Sequence, residues 1–389
     1  MEERIFGMRL DSKWLVIAGA VAVLVLFVVI PMLYLVYNSV VTEGAFTLEN
    51  YKYVYSKMVN WTALVNTFKL SFMVMLLSLV ITFPLAWLVG RTDLPGKGAF
   101  RTMLVATYMI PPYVGAIAWT QLLNPSVGYV NVILRHVFDL AQSPFNIYSM
   151  GGLVWVLTLF YSPFAFITIS RALEKMDPTL EEAARISGAS PLRTLWDVTL
   201  PLMFPSILAG GLLVFIAAGS CFGIPSIVGM PAKIEVLTTR IVTYVYMGDA
   251  KGIRDATALA VSLMLVANTL LFAMTAMLGR KDYTTIAGKS TRPNLVELGS
   301  WRYAAVGLLC AYGFISVVLP IGSILLTSLI RSMSRPITLS NLTFEHWLPV
   351  VQSSQYLEPI YNSFVTGAAA ATLSTVVALF VSYLLVKTK

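Results

Sequence analysis

Eight apolar stretches, each long enough to cross a lipid bilayer as a helix, constrain this chain more than any other feature. They run from Trp14 to Val40, Leu64 to Gly90, Thr102 to Leu123, Ser149 to Ile169, Pro205 to Met230, Ala256 to Leu278, Tyr303 to Ile330 and Ser363 to Val386. A helix rises about 1.5 Å per residue, so roughly 20 apolar residues cross a hydrocarbon core about 30 Å thick. Water cannot satisfy backbone groups in that core, so the expected fold is all-α, a polytopic transmembrane helical bundle. Composition agrees: 57% of residues are hydrophobic, and 12% charged is too little to coat a soluble globule of 389 residues.

The first stretch follows Arg4, Arg9 and Lys13 but is too long for a secretory signal, and no Ala-x-Ala cleavage site comes after it. A net charge of +8 does not point to nucleic acid, because the basic residues are scattered over loops rather than clustered with interleaved aromatics. Placing the N-terminus in the cytoplasm puts 17 of the 27 Lys and Arg there, concentrated in the short loops that set orientation. Lys233, Arg240, Lys251 and Arg254 fall on the outer side against that trend. Cys221 and Cys310 lie inside apolar stretches, so no disulfide framework is implied. His136 and His346 lie in outer loops without the spacing of a metal pair, and read as solvated loop histidines. No catalytic or metal site is expected.

The chain repeats itself. Thr47-Leu48-Glu49-Asn50-Tyr51 returns as Thr343-Phe344-Glu345-His346-Trp347, Asn66-Thr67-Phe68 as Asn362-Ser363-Phe364, and Arg91-Thr92 as Lys387-Thr388, all at an offset of 296. Convergence of greasy helices would not preserve polar punctuation, so the pattern argues for duplication of a whole domain. Val28-Val29-Ile30-Pro31 matches Val317-Val318-Leu319-Pro320 at an offset of 289, which gives the second copy a longer outer loop. The expected division is a first domain of six spans over 1–280, a basic linker over 281–300, and the first two spans of a second domain over 301–389. The counterpart of Glu182 would stand at position 478, so four further spans and a second such loop are expected past Lys389.

Residues 174–204 are a polar interruption between the fourth and fifth stretches. Asp177 suits a helix N-cap, Pro178 its first position, and Glu181 and Glu182 favour the positive end of its dipole. Ala183 and Ala184 are small enough for close approach by a partner, and Gly188 can supply the left-handed residue that ends the helix. Ser190-Pro191 repeats the start signal for a second short helix with Leu192, Leu195, Trp196 and Leu200 on one face, before Pro201 and Pro205 break out into the fifth span. The result is a two-helix knob able to fit a cleft in another protein.

Glu182-Ala183-Ala184, three residues, Gly188, nine residues, then Val198-Thr199-Leu200-Pro201 resembles the cytoplasmic coupling loop of ABC importer permeases, with Val198 in place of the usual Ile. Together with Leu94 to Phe100 (LPGKGAF), Tyr108 to Leu123 and Phe222 to Gly229 resemble fused two-domain permeases of the ferric-iron type. The resemblance implies a type I ABC importer permease fold with a partial second copy, in the bacterial inner membrane. It also implies two separate ATPase subunits that bind ATP and Mg, and an extracytoplasmic substrate-binding protein. Glu181, Glu182, Ala183, Ala184, Gly188, Leu200 and Pro201 would make the ATPase-coupling surface, with Glu182 pairing with a basic group of the ATPase. No Gly-x-x-x-x-Gly-Lys-Ser/Thr occurs, so the ATPase is expected on another chain.

Pro111-Pro112 interrupts the third stretch, and irregular backbone at membrane depth belongs where it faces protein or a water-filled path. Tyr108, Pro111 and Tyr113 are therefore candidates for a translocation pathway, with a packing kink as the other reading. Phe222 to Gly229 is likewise broken by Gly and Pro and leads to Glu235 and Arg240. These two charges either meet a docking protein or the solute, or lie on an amphipathic surface helix. Tyr161 and Ser220 complete the pathway candidates. The same architecture resembles permeases for phosphonate, thiamine and polyamine, and a scaffold or channel without ATP coupling is the rival from another class.

Overall fold

The computed structural model describes residues 4–5, 8–9, 12–42, 44–177, 179–279, 295–333, 335 and 338–387. Pro178 and linker residues 281–294 lie outside the described residues. The helices are α1 (Ser12–Leu24), α2 (Ile30–Val40), α3 (Glu49–Ser56), α4 (Met58–Arg91), α5 (Lys97–Ala106), α6 (Pro112–Leu123), α7 (Tyr129–Phe138), α8 (Met150–Lys175) and α9 (Thr179–Ile186). They continue as α10 (Pro191–Thr194), α11 (Leu200–Ser220), α12 (Leu237–Tyr246), α13 (Ala250–Gly279), α14 (Trp301–Gly313), α15 (Leu319–Ser328), α16 (Trp347–Gln352) and α17 (Ser354–Lys387). Among the described residues, seven helical runs are long and apolar enough to cross a membrane by length and composition, and the count is eight if the bent pair α5–α6 is taken as one span rather than a re-entrant loop.

That bend is 96° and lies where the sequence breaks. Ile110 and Pro111 are extended (ψ 127° and 137°), as residues preceding proline tend to be, and Pro112 opens α6 where a missing amide hydrogen costs nothing. Three other prolines act differently. Pro31, Pro201 and Pro320 each end a Val-Val/Thr-Ile/Leu-Pro tetrapeptide, and each is preceded by a five-residue π-turn: Val25–Val29, Leu195–Thr199 and Phe314–Val318. The residue before each proline donates its N–H five residues back, to Val25, Leu195 and Phe314 respectively. The wider turn makes room for the carbonyl that a proline ring meets four residues upstream. This corrects the sequence reading at the fifth span. Pro201 and Pro205 do not separate a second short helix from the span; the helix runs through both, from Leu195 to Ser220, and ends ten residues before Met230.

The described chain forms two compact units. In the unit over residues 51–327, α4, α8 and α11 pack closely on one another, as membrane helices do where small residues line the contact. A Cβ added to Gly210 would fall 3.1 Å from Ala165 Cα, and one on Gly219 would fall 2.9 Å from Ser71 Oγ. The span α14–α15, which the repeat assigns to the second copy, packs within this unit. Tyr312 OH and Ser162 Oγ lie 2.6 Å apart, and Ser323 Oγ donates to Ala118 O at 3.2 Å.

The other unit holds residues 1–50 and 328–389, with α1 packed against α17. Two turns of this unit share a hydrogen-bond pattern. Thr47 N–H donates to Val40 O and Thr343 N–H to Leu329 O, both at 2.7 Å. Glu49 N–H donates to Thr47 Oγ1 and Glu345 N–H to Thr343 Oγ1, both at 3.1 Å. The two turns match, and the stretch between acceptor and donor is longer in the second, from Leu329 to Thr343, than in the first, from Val40 to Thr47. His346 is exposed, with Nε2 3.1 Å from Ile330 O.

Candidate functional site: the 177–201 knob and the broken spans

The knob starts as the sequence expects. Asp177 Oδ1 accepts from Thr179 N–H at 2.9 Å, and that bond holds the Asp177 carboxyl below its usual range. At the far end, Gly188 sits at φ +86°, Ala189 N–H bonds to Ala184 O (3.0 Å) and Gly188 N–H to Arg185 O (2.9 Å). This crossed pair is the Schellman arrangement, and it turns the chain sharply out of α9. Ser190 Oγ then accepts from Arg193 N–H at 3.3 Å to start α10. Ala183 and Gly188 are exposed and Ala184 is half-buried, giving a surface of small residues at the tip. Trp196, on the face that the sequence assigns to it with Leu192, Leu195 and Leu200, stands 64% exposed. Leu200 is half-buried and Pro201 exposed at the base of α11.

The two adjacent glutamates have opposite surroundings. Glu182 is half-buried, and its carboxylate has no hydrogen bond or ion pair among the described residues. Glu181 is only 6% exposed: Oε2 pairs with Arg91 Nη2, and Oε1 accepts from Thr199 Oγ1 at 2.7 Å. Arg91, the last residue of α4, is 2% exposed. Neither Arg91 nor Thr199 was singled out as functional from the sequence. Arg91 stood there only among the loop cations and repeat markers, and Thr199 only inside the Val-Thr-Leu-Pro signature.

Arg91 is tied on its other side to residues 296–302. Val296 N–H donates to Arg91 O at 2.9 Å, Asp93 N–H to Val296 O at 3.0 Å and Leu298 N–H to Asp93 Oδ1 at 2.9 Å, while Arg302 pairs with Asp93. The Leu298 amide and then the Arg302 guanidinium hold the Asp93 carboxyl below its usual range.

Among the pathway candidates, Tyr108 and Tyr161 are brought together through phenylalanines. Tyr108 lies 4.9 Å from the Phe164 ring and Tyr161 lies 5.9 Å from it, nearly parallel. Tyr108 is half exposed, whereas Tyr161 is buried. The two Gly/Pro-broken regions also meet, since a Cβ on Gly223 would lie 3.3 Å from Tyr113 N. Pro111 is exposed at the bend. Ser220 is an exposed residue at the end of α11 and lines a small cavity with Thr67, Ser71, Gly219 and Leu263. Glu235 and Arg240 pair with one another at 3.3 Å, and Arg240 Nε also donates to Asn60 Oδ1 at 3.2 Å. Among the described residues no group of three or more His, Cys, Asp or Glu is placed to hold a metal ion.

Residues 82–281 match the family described as "Binding-protein-dependent transport system inner membrane component". The chain belongs to this family. The match takes in α8, the knob and α11, so these elements are those of an inner-membrane, multi-pass permease and not of a catalytic enzyme. The ferric transport system permease protein FbpB of Actinobacillus pleuropneumoniae is 24% identical over 308 residues, covering 78% of this chain and 44% of that protein. The spermidine/putrescine permease PotB of Escherichia coli K12 is 29% identical over 217 residues, covering 53% of this chain and 77% of PotB. The chain spans about half the length of the curated ferric relatives it matches. In a solved structure of a bacterial alginate ABC transporter, bound to a periplasmic protein carrying an alginate pentasaccharide, a chain matches at a TM-score of 0.58 and 20% identity. That match covers 69% of this permease and 95% of its counterpart, and shares its fold.

Proposed function

We propose that this permease is the membrane-spanning part of an ATP-driven importer that works by alternating access. Separate ATPase subunits, two in number, bind ATP and Mg and dock on the knob; an extracytoplasmic binding protein delivers solute at the opposite end of the bundle. The N-terminus and the knob lie in the cytoplasm. The observation that carries this reading is the pair of glutamates. The knob exposes Ala183 and Gly188, and the half-buried Glu182 carboxylate makes no hydrogen bond or ion pair among the described residues while Glu181 is committed to Arg91 and Thr199, as a docking element with one uncommitted carboxylate requires. Residues 1–280, 281–300 and 301–389 are read as a first permease domain, a linker and the start of a second, supported by the twice-built turn at Thr47 and Thr343.

Ferric iron is the solute we infer, because the ferric permeases match over 308 residues, more than one domain, while PotB matches over 217. Tyr108, Pro111, Tyr113, Tyr161 and Ser220 are read as the pathway, supported by the meeting of the two broken regions at Tyr113 and Gly223. The Glu235–Arg240 pair belongs to the outer mouth. The test is co-purification with the ATPase subunit together with uptake of labelled ferric iron and labelled spermidine into vesicles. Glu182→Lys or Gly188→Pro should release the ATPase and stop uptake. An ATPase retained by both variants, or uptake without ATP, would instead support a scaffold or channel.

A further inference from the structure

The side chains that meet at the knob-bearing end of α4 form a node that the coupling surface does not explain. Arg91 closes α4, Glu181 lies in the first turn of α9, and Thr199 ends the π-turn that leads into α11; the three side chains meet in a buried contact. A buried ion pair is weak evidence of stabilisation, since removing two charges from water offsets most of their attraction. Here the offset is larger, because Arg91 Nη1 is also buried without a hydrogen-bond partner among the described residues. What the pair does supply is geometry. Its two ends sit on different elements 90 residues apart, and the second carboxylate oxygen is fixed by an element from a third place in the chain.

We infer that Glu181 is a positioning residue. Through Arg91 and Thr199 it clamps α9 to the ends of α4 and α11, so that a displacement of the knob is delivered to both spans as one rigid movement. The inference rests on the importer reading above and extends it, since it divides the Glu181-Glu182 pair into an inward clamp and an outward contact. Residues 91–93 are bonded at the same point to 296–302, the lead-in to α14, so the node also stands beside the start of the seventh span. Without the clamp, no side-chain hydrogen bond or ion pair among the described residues would tie α9 to the end of α4 or to Thr199, and force applied at its tip would be passed on less directly.

The test uses the permease reconstituted with its ATPase and binding protein, and reads the ratio of solute taken up to ATP hydrolysed. Glu181→Gln and Arg91→Gln should each lower that ratio about tenfold, within the range found for residues along a coupling route. The exchanged pair, Arg91→Glu with Glu181→Arg, should recover most of it. An unchanged ratio in the single variants would overturn the clamp, as would uptake and hydrolysis falling in equal proportion.

A second measurement is independent of transport. Nitroxide labels at Ser187 and Lys97 should give a narrow distance distribution in the unsubstituted protein and the exchanged pair, and a broadened one in the single variants. Equal widths throughout would also overturn the clamp. If the labels behave as expected while the unsubstituted protein shows no ATP-driven uptake, the importer reading fails and the clamp stands.

Discussion

At the scale of single residues, two neighbouring glutamates show how little of a side chain's role is set by its type. Glu181 and Glu182 are indistinguishable in sequence, and both favour the start of a helix dipole; a contact from Arg91, 90 residues upstream, separates them. No local pattern carries that information, which is why Gly188 was legible and Arg91 was not. Gly188 announces a left-handed cap by its own chemistry. Gly188→Ala is expected to destabilise the knob by about 1 kcal/mol. A Cβ there would meet no atom within 4 Å, so the whole cost is backbone strain at φ +86°. Faster hydrogen exchange of the α9 amides in the variant, with the α8 amides unchanged, would register it. For Arg91 the cost is electrostatic. Arg91→Met leaves Glu181 buried and unpaired and should destabilise the fold by about 3–5 kcal/mol. Arg91→Met with Glu181→Met should recover most of that, since two apolar side chains carry no charge to desolvate; thermal unfolding in detergent compares the three proteins.

At the scale of elements, apolar length located the spans, and proline was harder to read. Pro111-Pro112 was recognised as a break and is one, because two successive rings with an extended residue before each cannot continue a helix. The sequence pattern predicts a second break at Pro201. Instead, the π-turn over Leu195–Thr199 carries the helix past it. Hydropathy cannot tell these cases apart; the signal is the tetrapeptide that Pro201 shares with Pro31 and Pro320. The π-turn also aims Thr199 at Glu181. With Pro201→Ala the reason for the extra residue is gone, and the turn is expected to close to an α-turn. Residues before it would then rotate by about 100°, one residue of helix. Thr199 Oγ1 would leave Glu181 Oε1. A disulfide between cysteines placed at 181 and 199 should form readily in an otherwise unsubstituted protein and poorly with Pro201→Ala; equal rates would show that the widened turn does not depend on its proline.

At the scale of the molecule, the compact units group segments that are far apart in the chain. Spans two to six and the seventh share one unit, while the first span lies in a unit with the eighth. The repeat revealed which segments correspond but not which would pack together, because packing depends on shape complementarity between helices that an apolar composition leaves undetermined. What ties the lead-in of the seventh span to the 91–93 turn is polar, and therefore testable by titration. The Asp93 carboxyl is held below its usual range by the Leu298 amide and the Arg302 guanidinium. A depressed folded value means that the charged form favours the clasped state. This contribution is fully present above the unfolded aspartate range, about pH 3.9, and is lost as pH falls through the lower folded value. Protection of amides 296–302 against hydrogen exchange, corrected for intrinsic rates, should therefore hold from pH 7 to pH 5 and collapse only below pH 4. In Asp93→Asn, which keeps an oxygen for Leu298 but has no charge for Arg302, protection should be lower than in the unsubstituted protein from pH 7 to pH 5 and should no longer change over that acidic interval. A wild-type transition above pH 5, or the same low-pH collapse in the Asn variant, would remove Asp93 as the residue that fastens this segment.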